Sequence, residues 1–317
     1  MTLALSALRK INPYIRHFDV SMRDGLQSLS KVYTLPEKKI ILNKIMKQYQ
    51  PHALEIGSLV SSKLLPQMNN SYDLYNYANT IYNENWIYNY YSSKSKRNIM
   101  CDTTIENNIE NYCDFYLLVP PSKKYLDMAK KLNIRNVSFI TSVSEKFQQK
   151  NIKQSIKETK ENIKEVLKNP KTFDNVKLYV SCITNCPISG IQDNEYIINE
   201  LYEYLHIDGI NEVCISDTCG DMRYSNFKHI IDYLSIEMNY NLEKISLHLH
   251  INANDDKKNS SNIDDIIEYA IKNNIYKFDV TSMENIGGCS IVINNKKELY
   301  GNLTYDRLYQ SIYNINL

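Results

Sequence analysis

The residues of this sequence best suited to chemistry are two histidines one residue apart, His248 and His250, in the run Ile245–His250, followed at once by the polar stretch Ile251–Asp256. Alternate side chains of an extended strand share a face, so the two imidazoles can grip one metal ion together. A lone His-x-His is more often a solvated strand end than a ligand pair, so other donors must join it. The candidates are Arg23, Asp24 and Gln27 in Arg23-Asp24-Gly25-Leu26-Gln27, then Glu55, Tyr179, the pair Asp217-Thr218, the run Gly287-Gly288-Cys289, and Asn302 after Gly301. One carboxylate, two imidazoles and an amide oxygen converging on a point would form a mixed oxygen and nitrogen set. Such a set suits octahedral Mg²⁺ or Mn²⁺ better than the thiolate sites zinc prefers. The ion would hold a substrate hydroxyl or carbonyl oxygen as a Lewis acid, and Arg23, next to Asp24, would stabilise enolate charge developing beside it.

Those residues need strands to carry them. Short apolar, β-branched runs alternate with longer amphipathic segments, the pattern of repeated βα units around a parallel sheet. Eight strands are expected at Tyr14–Val20, Ala53–Ile56, Phe115–Val119, Asn136–Ile140, Val176–Ser181, Glu212–Ser216, Ile245–His250 and Lys277–Val280. Helices are expected at Glu37–Gln48, Lys123–Leu132, Ser155–Leu167, Glu195–Tyr204, Phe227–Met238, Ile263–Lys272 and Tyr305–Tyr313. The α/β pattern predicts a (β/α)₈ TIM barrel, in which chemistry sits at the C-terminal strand ends, where the candidates fall. Tyr82–Cys113, rich in Tyr, Asn, Ser and Lys, reads as an insertion between the second and third βα units, with a short strand of its own at Asn98–Cys101. No composition shift marks a domain boundary, so residues 1–317 read as one barrel domain.

Lys+Arg 37 against Asp+Glu 36 leaves a net charge of +1, so no global field draws the chain to nucleic acid or anionic lipid. Seven cysteines, an odd number without a Cys-x-x-Cys pair, read as reduced thiols. With no secretory apolar region, peroxisomal signal or membrane-length apolar run, a cytoplasmic location is expected. The abundance of Tyr, Asn, Ile and Lys looks like the drift of an AT-biased genome, so single residues of these types carry less meaning than usual. Cys182 and Cys186 read as structural, and His17, His52, His206 and His229 as surface or helix residues.

Six stretches stand in the order found in 3-hydroxy-3-methylglutaryl-CoA lyases: Arg23–Gln27, Glu55–Met68, Tyr179–Pro187, His248 with His250, Gly287-Gly288-Cys289, and Gly301-Asn302-Leu303. From about Tyr14 onward the sequence resembles that family, a branch of the metal-dependent barrel lyases related to isopropylmalate and homocitrate synthases, with a pyruvate carboxyltransferase-like barrel. The resemblance implies a retro-aldol (Claisen-type) cleavage of an acyl-CoA into acetyl-CoA and acetoacetate. It makes Asp24, His248, His250 and Asn302 ligands of Mg²⁺ or Mn²⁺, and Arg23 the stabiliser of the enolate. It assigns proton transfer to Asp217 and His248 and a catalytic loop role to Cys289. Glu55 and Tyr179 match further active-site residues, so that substrate binding is expected of Arg23, Gln27, Glu55, Tyr179 and Thr218, while Asp306 falls where the family has a glutamate. No organic cofactor is implied. The expected partner is a small-molecule acyl-CoA, with a homodimer allowed and neither nucleic acid nor membrane.

The sequence also departs from the family. Asp-Thr-Tyr-Gly usually follows the second histidine, whereas Ile251-Asn252-Ala253-Asn254 follows here, removing a carboxylate that could orient an imidazole. Met283, Glu284 and Asn285 replace small residues of the glycine loop, and the interval from Cys289 to Asn302 is long. Two other readings therefore stay open: a condensing enzyme or related aldol lyase on the same barrel, and a non-catalytic binding or scaffolding barrel.

Overall fold

The computed structural model describes residues 13–84, 113–251, 260–284, 286–287 and 300–315. Its strands are β1 Arg16–Asp19, β2 Ala53–Ser58, β3 Asp114–Leu118, β4 Asn136–Ser142, β5 Asn175–Ser181, β6 Asn185–Cys186, β7 Gly190–Ile191, β8 Glu212–Ser216, β9 Ile245–His248, β10 His250–Ile251, β11 Lys277–Val280 and β12 Gly301–Asn302. Eight of them close a barrel in the order β1-β11-β9-β8-β5-β4-β3-β2, every pairing parallel, with β2 returning to β1. The expected (β/α)₈ architecture is therefore borne out.

The two-residue period of a strand sorts its side chains between two environments. On β5, Val176, Leu178 and Val180 join the main apolar core, while Tyr179 packs inside the barrel with Leu118 and Cys214. Lys177 also turns inward, its Nζ 3.8 Å from the centre of the Phe18 ring. Branched apolar residues thus bind the sheet to the helices, while polar residues gather inside.

The helices are α1 Leu35–Tyr49, α2 Ser71–Ala78, α3 Lys123–Lys131, α4 Glu145–Ile152, α5 Ile156–Leu167, α6 Asn194–Leu205, α7 Tyr224–Asp232, α8 Ser260–Lys272 and α9 Tyr305–Asn314. Local chemistry starts several of them. Thr34 with Glu37 and Ser155 with Glu158 form reciprocal capping boxes on α1 and α5, each cap contributing about 1 kcal/mol. Helices α2 and α4 were not expected. The first, Ser-Tyr-Asp-Leu-Tyr-Asn-Tyr-Ala, buries Leu74, Tyr75 and Ala78, and in so tyrosine-rich a chain that periodicity is hard to see. The long helix expected at Phe227–Met238 is α7 followed by a wide π-type turn, Tyr233–Glu237. Most of the expected insertion, with Asn98–Cys101, lies outside the described residues. No described helix is long and apolar enough to cross a membrane.

His17 corrects the reading of the isolated histidines. It lies on β1, is 2% exposed, and its Nε2 sits 2.8 Å from the Tyr309 hydroxyl of α9. A histidine alternating with Phe18 on an inner strand faces the helical layer, which sequence spacing alone does not reveal.

Candidate active site

The site starts where β1 ends. Instead of entering an ordinary helix the chain makes a wide turn, Ser21–Gly25, in which Gly25 N–H donates to the Val20 carbonyl five residues back at 3.1 Å. Single π-turns of this kind re-aim side chains and recur at functional sites. This one buries Arg23 and Asp24 at the C-terminal rim of the barrel.

The seventh barrel strand differs from expectation in a way that matters. It ends at His248, and His250 opens β10, which pairs antiparallel with β12 so that His250 faces Asn302 across the ladder. The excursion keeps both imidazoles together, their ring centres 4.8 Å apart and their planes at 78°, while the backbone pairing carries in the amide of Asn302. Ligand atoms of Asp24, His248 and His250 lie within 4.8 Å of one another, all three residues buried.

Hydrogen bonds fix what these groups present. His250 Nδ1 lies 2.6 Å from the Asp217 carbonyl, which can only accept, so Nδ1 carries the proton and Nε2 of the neutral ring holds a lone pair. His248 Nδ1 lies 3.0 Å from Asp279 Oδ2, which as a carboxylate accepts the Nδ1 proton, and its Nε2 lies 3.9 Å from Asp24 Oδ2. Asn302 donates from Nδ2 to Asp24 Oδ2 at 2.8 Å, and its Oδ1 is buried with no hydrogen-bond partner among the described residues, as is His250 Nε2. A carboxylate and two imidazole nitrogens thus converge, and the Asn302 amide beside them, here turned with Nδ2 to Asp24, carries an oxygen that, like His250 Nε2, has no donor among the described residues. Buried acceptors seldom go unmatched, and a cation satisfies all of them at once. These residues therefore fit a hard divalent ion.

Charge supports the same conclusion. Burial pushes the Asp24 carboxyl up, but Arg23, with the histidines and the Asn302 amide, outweighs it and holds the group at about 2. Burial and the neighbouring His248 push the His250 imidazole down to about 4. Both are thus in the metal-binding form at neutral pH.

Arg23 forms the second half of the rim. Its Nη1 donates to Asp24 Oδ1 at 2.6 Å and its Nε to Glu55 Oε2 at 2.5 Å. The Tyr179 hydroxyl donates to the same Glu55 oxygen at 3.4 Å, and the Tyr179 ring lies under the guanidinium, 5.4 Å from centroid to Cζ. Two carboxylates and an aromatic face hold the guanidinium still, as a preorganised electrostatic group requires.

A cavity of about 490 Å³ opens over this rim. Arg23, Asp24, Gln27, Tyr179, Thr218, His248 and His250 line it, with Val60, Leu64, Leu65 and Phe147 making an apolar wall and Lys150 and Lys153 at its edge. Thr218 has a structural task as well, its Oγ1 accepting the Cys182 N–H at 2.7 Å. Asp217 does not line the cavity. Its carboxylate accepts the N–H groups of Asp221 and Met222, each at 3.2 Å, and burial pushes it up to about 7. Asp306 is exposed and outside the metal-binding group. Gly288 and Cys289 lie outside the described residues. Gly287 has φ +102°, and a Cβ there would sit 2.1 Å from Asn302 Nδ2, so its backbone presses directly on that amide.

The sequence reading missed the polar cluster under the site. Lys177 Nζ pairs with Asp279 Oδ1 at 2.5 Å and with Glu212 Oε1 at 2.6 Å. Burial pushes the Asp279 carboxyl up, but Lys177 and His248 outweigh it and keep the group below its ordinary value. A lysine alternating with Tyr179 in an otherwise apolar strand was the available signal, since the two must share the inner face.

Fold and site together define a (β/α)₈-barrel protein with a candidate divalent-cation centre and a fixed arginine at the C-terminal end of its strands. The chain belongs to the HMGL-like family, whose model matches residues 14–255. The expected likeness to 3-hydroxy-3-methylglutaryl-CoA lyases is thereby borne out. A Pseudomonas aeruginosa protein described as a 3-hydroxy-3-isohexenylglutaryl-CoA/hydroxy-methylglutaryl-CoA lyase is 23% identical over 279 residues, 87% of this chain and 78% of its own length. The hydroxymethylglutaryl-CoA lyase of Pseudomonas mevalonii is 25% identical over 65% of this chain, and the matched part spans 58% of that relative. Among solved structures, an HMG-CoA lyase from Acinetobacter baumannii in complex with coenzyme A and 3-methylmalate has a TM-score of 0.69 at 16% identity, covering 95% of this chain and 88% of that one.

Proposed function

We propose that this protein is a divalent-metal-dependent carbon–carbon lyase that cleaves a 3-hydroxy-3-methylglutaryl-CoA-like ester into acetyl-CoA and acetoacetate. The observation that carries the reading is the convergence of the ligand atoms of Asp24, His248 and His250, with the Asn302 amide hydrogen-bonded to Asp24, beside a clamped Arg23 at a cavity. Membership of the HMGL-like family and the described lyases to which the chain is similar support it. Mg²⁺ or Mn²⁺ bound by these four residues supplies Lewis-acid stabilisation of substrate oxygens.

In the cleavage the tertiary hydroxyl loses its proton and its oxygen becomes the ketone of acetoacetate. The bond between C2 and C3 breaks, and its electron pair passes to the thioester as an enolate, which takes a proton at carbon to give acetyl-CoA. Arg23 is assigned the enolate charge, since it is the fixed cation of the rim. Asp217, whose buried carboxyl is raised to about 7 but faces its own turn, is assigned to proton transfer on swinging toward the cavity, together with His248 of the cavity wall, and Cys289 to the loop that returns the proton. Gln27, Glu55, Tyr179 and Thr218 hold substrate or the arginine that meets it.

The solved lyase from A. baumannii holds coenzyme A, and in this chain the exposed Lys150 and Lys153 at the cavity edge are suited to its phosphates. The apolar wall of Val60, Leu64, Leu65 and Phe147 suits an alkyl substituent at C3. A homodimer and a cytoplasmic location belong to the same proposal and rest on the sequence reading. The test is a metal-dependent turnover assay over 3-hydroxyacyl-CoA esters with short and long C3 substituents. Acetoacetate, or its longer homologue, and acetyl-CoA are expected in equal amounts, and no cleavage of any ester by the Mg²⁺- or Mn²⁺-loaded protein sinks the proposal.

A further inference from the structure

The chain lacks the carboxylate that usually follows the second histidine, yet one histidine of the pair has a carboxylate partner all the same. It comes from the next barrel strand: Asp279 of β11 sets Oδ2 3.0 Å from His248 Nδ1. Among the described residues His250 has no such partner and leans on the Asp217 carbonyl at 2.6 Å. The two candidate ligands are therefore supported differently, one by an ionised group and one by a neutral dipole.

Asp279 is itself held. It is 1% exposed, and its second oxygen, Oδ1, pairs with Lys177 Nζ at 2.5 Å. Lys177 pairs in turn with Glu212 Oε1 at 2.6 Å, and Glu212 Oε2 lies 3.8 Å from Lys277 Nζ. The cluster balances two carboxylates against two ammonium groups, so Asp279 can stay charged within the barrel. With both oxygens engaged its carboxylate cannot rotate away from the imidazole. A charged acceptor on Nδ1 fixes the ring's tautomer and plane, aims Nε2 at the ligand cluster and raises its basicity.

We infer that Asp279 is a positioning residue for metal binding: it holds His248 in the ligating orientation, with Lys177 as the counter-charge that locks it. This rests on the metal-site reading above. The competing account is that Asp279 only neutralises a buried lysine, and a double variant separates the two. Lys177→Met with Asp279→Asn removes both charges of the inner pair, so a purely neutralising role predicts that it behaves like the parent.

The experiment titrates each purified, metal-free protein with Mn²⁺, following the free ion by EPR, and examines the bound ion by pulsed EPR for imidazole nitrogen coupling. Asp279→Asn is expected to weaken Mn²⁺ binding roughly 10- to 100-fold and to lose the coupling from one of two histidines. The double variant is expected to show the same two defects while regaining thermal stability lost in the single one. Parental affinity and two-histidine coupling in either variant overturn the inference and leave the lyase reading standing. Should Asp279→Asn fail to fold, the double variant decides alone. An unaltered protein that binds no Mn²⁺ overturns the metal site itself, a different failure from a variant that matches its parent.

Discussion

Asp217→Asn gives the most direct test of the electrostatics built into this barrel. Burial raises the Asp217 carboxyl from 3.8 to about 7 in the folded protein, while in the unfolded chain it returns to an ordinary value. Between those two values the folded state binds a proton that the unfolded state has released, so stability falls as pH rises through this window. From pH 5 to the folded midpoint is about two units, each about 1.4 kcal/mol, so the metal-free protein loses roughly 3 kcal/mol from this one group between pH 5 and pH 8. Asparagine cannot ionise, and its one side-chain oxygen keeps one of the two N–H groups, Asp221 or Met222, that the carboxylate accepts, a loss that is the same at both pH values. Other shifted groups, such as His250, titrate in both proteins and cancel in the difference. Urea unfolding of parent and variant at the two pH values measures it: the variant should gain stability relative to the parent on going to pH 8. Parallel pH dependences would refute the claim that this carboxyl holds a proton near neutrality, and with it the reason for assigning it proton transfer.

Three further outcomes follow from the site. Arg23→Met leaves Glu55 and Asp24 without their cation and should cost about 3–5 kcal/mol of stability and roughly 100- to 1,000-fold in kcat; adding Glu55→Gln should restore much of the stability but none of the rate, and a restored rate would remove Arg23 from the chemistry. Chelation should abolish turnover and Mn²⁺ or Mg²⁺ restore it, while Asp24→Asn and His250→Ala should each bind Mn²⁺ more weakly; unchanged affinity in both would mean the ion sits elsewhere. Gly287→Ala places a methyl 2.1 Å from the Asn302 amide at a φ of +102°, so calorimetric Mn²⁺ affinity and kcat should fall together, and a variant with parental affinity would separate Asn302 from the metal.

Much of this protein is legible in its sequence. Glu212–Ser216 and Lys277–Val280 are strands with the expected bounds, because short branched apolar runs between amphipathic helices have one economical arrangement, a parallel barrel. Arg23, Asp24, His248, His250 and Asn302 are legible because each belongs to a short local pattern, and the family likeness is what makes the last four a ligand set. The tertiary structure decided how those patterns meet. Only it shows that the strand breaks after His248, so that His250 reaches Asn302 through a separate two-stranded ladder, and that the Asp217 carboxylate faces its own turn instead of the cavity. Nor could the sequence pair Asp279 with His248, 31 positions apart, or Lys177 with Asp279, 102 apart. Local rules tell which face a side chain takes. Which partner it meets inside a closed barrel depends on strand order and register, and those follow from burying all eight strands at once.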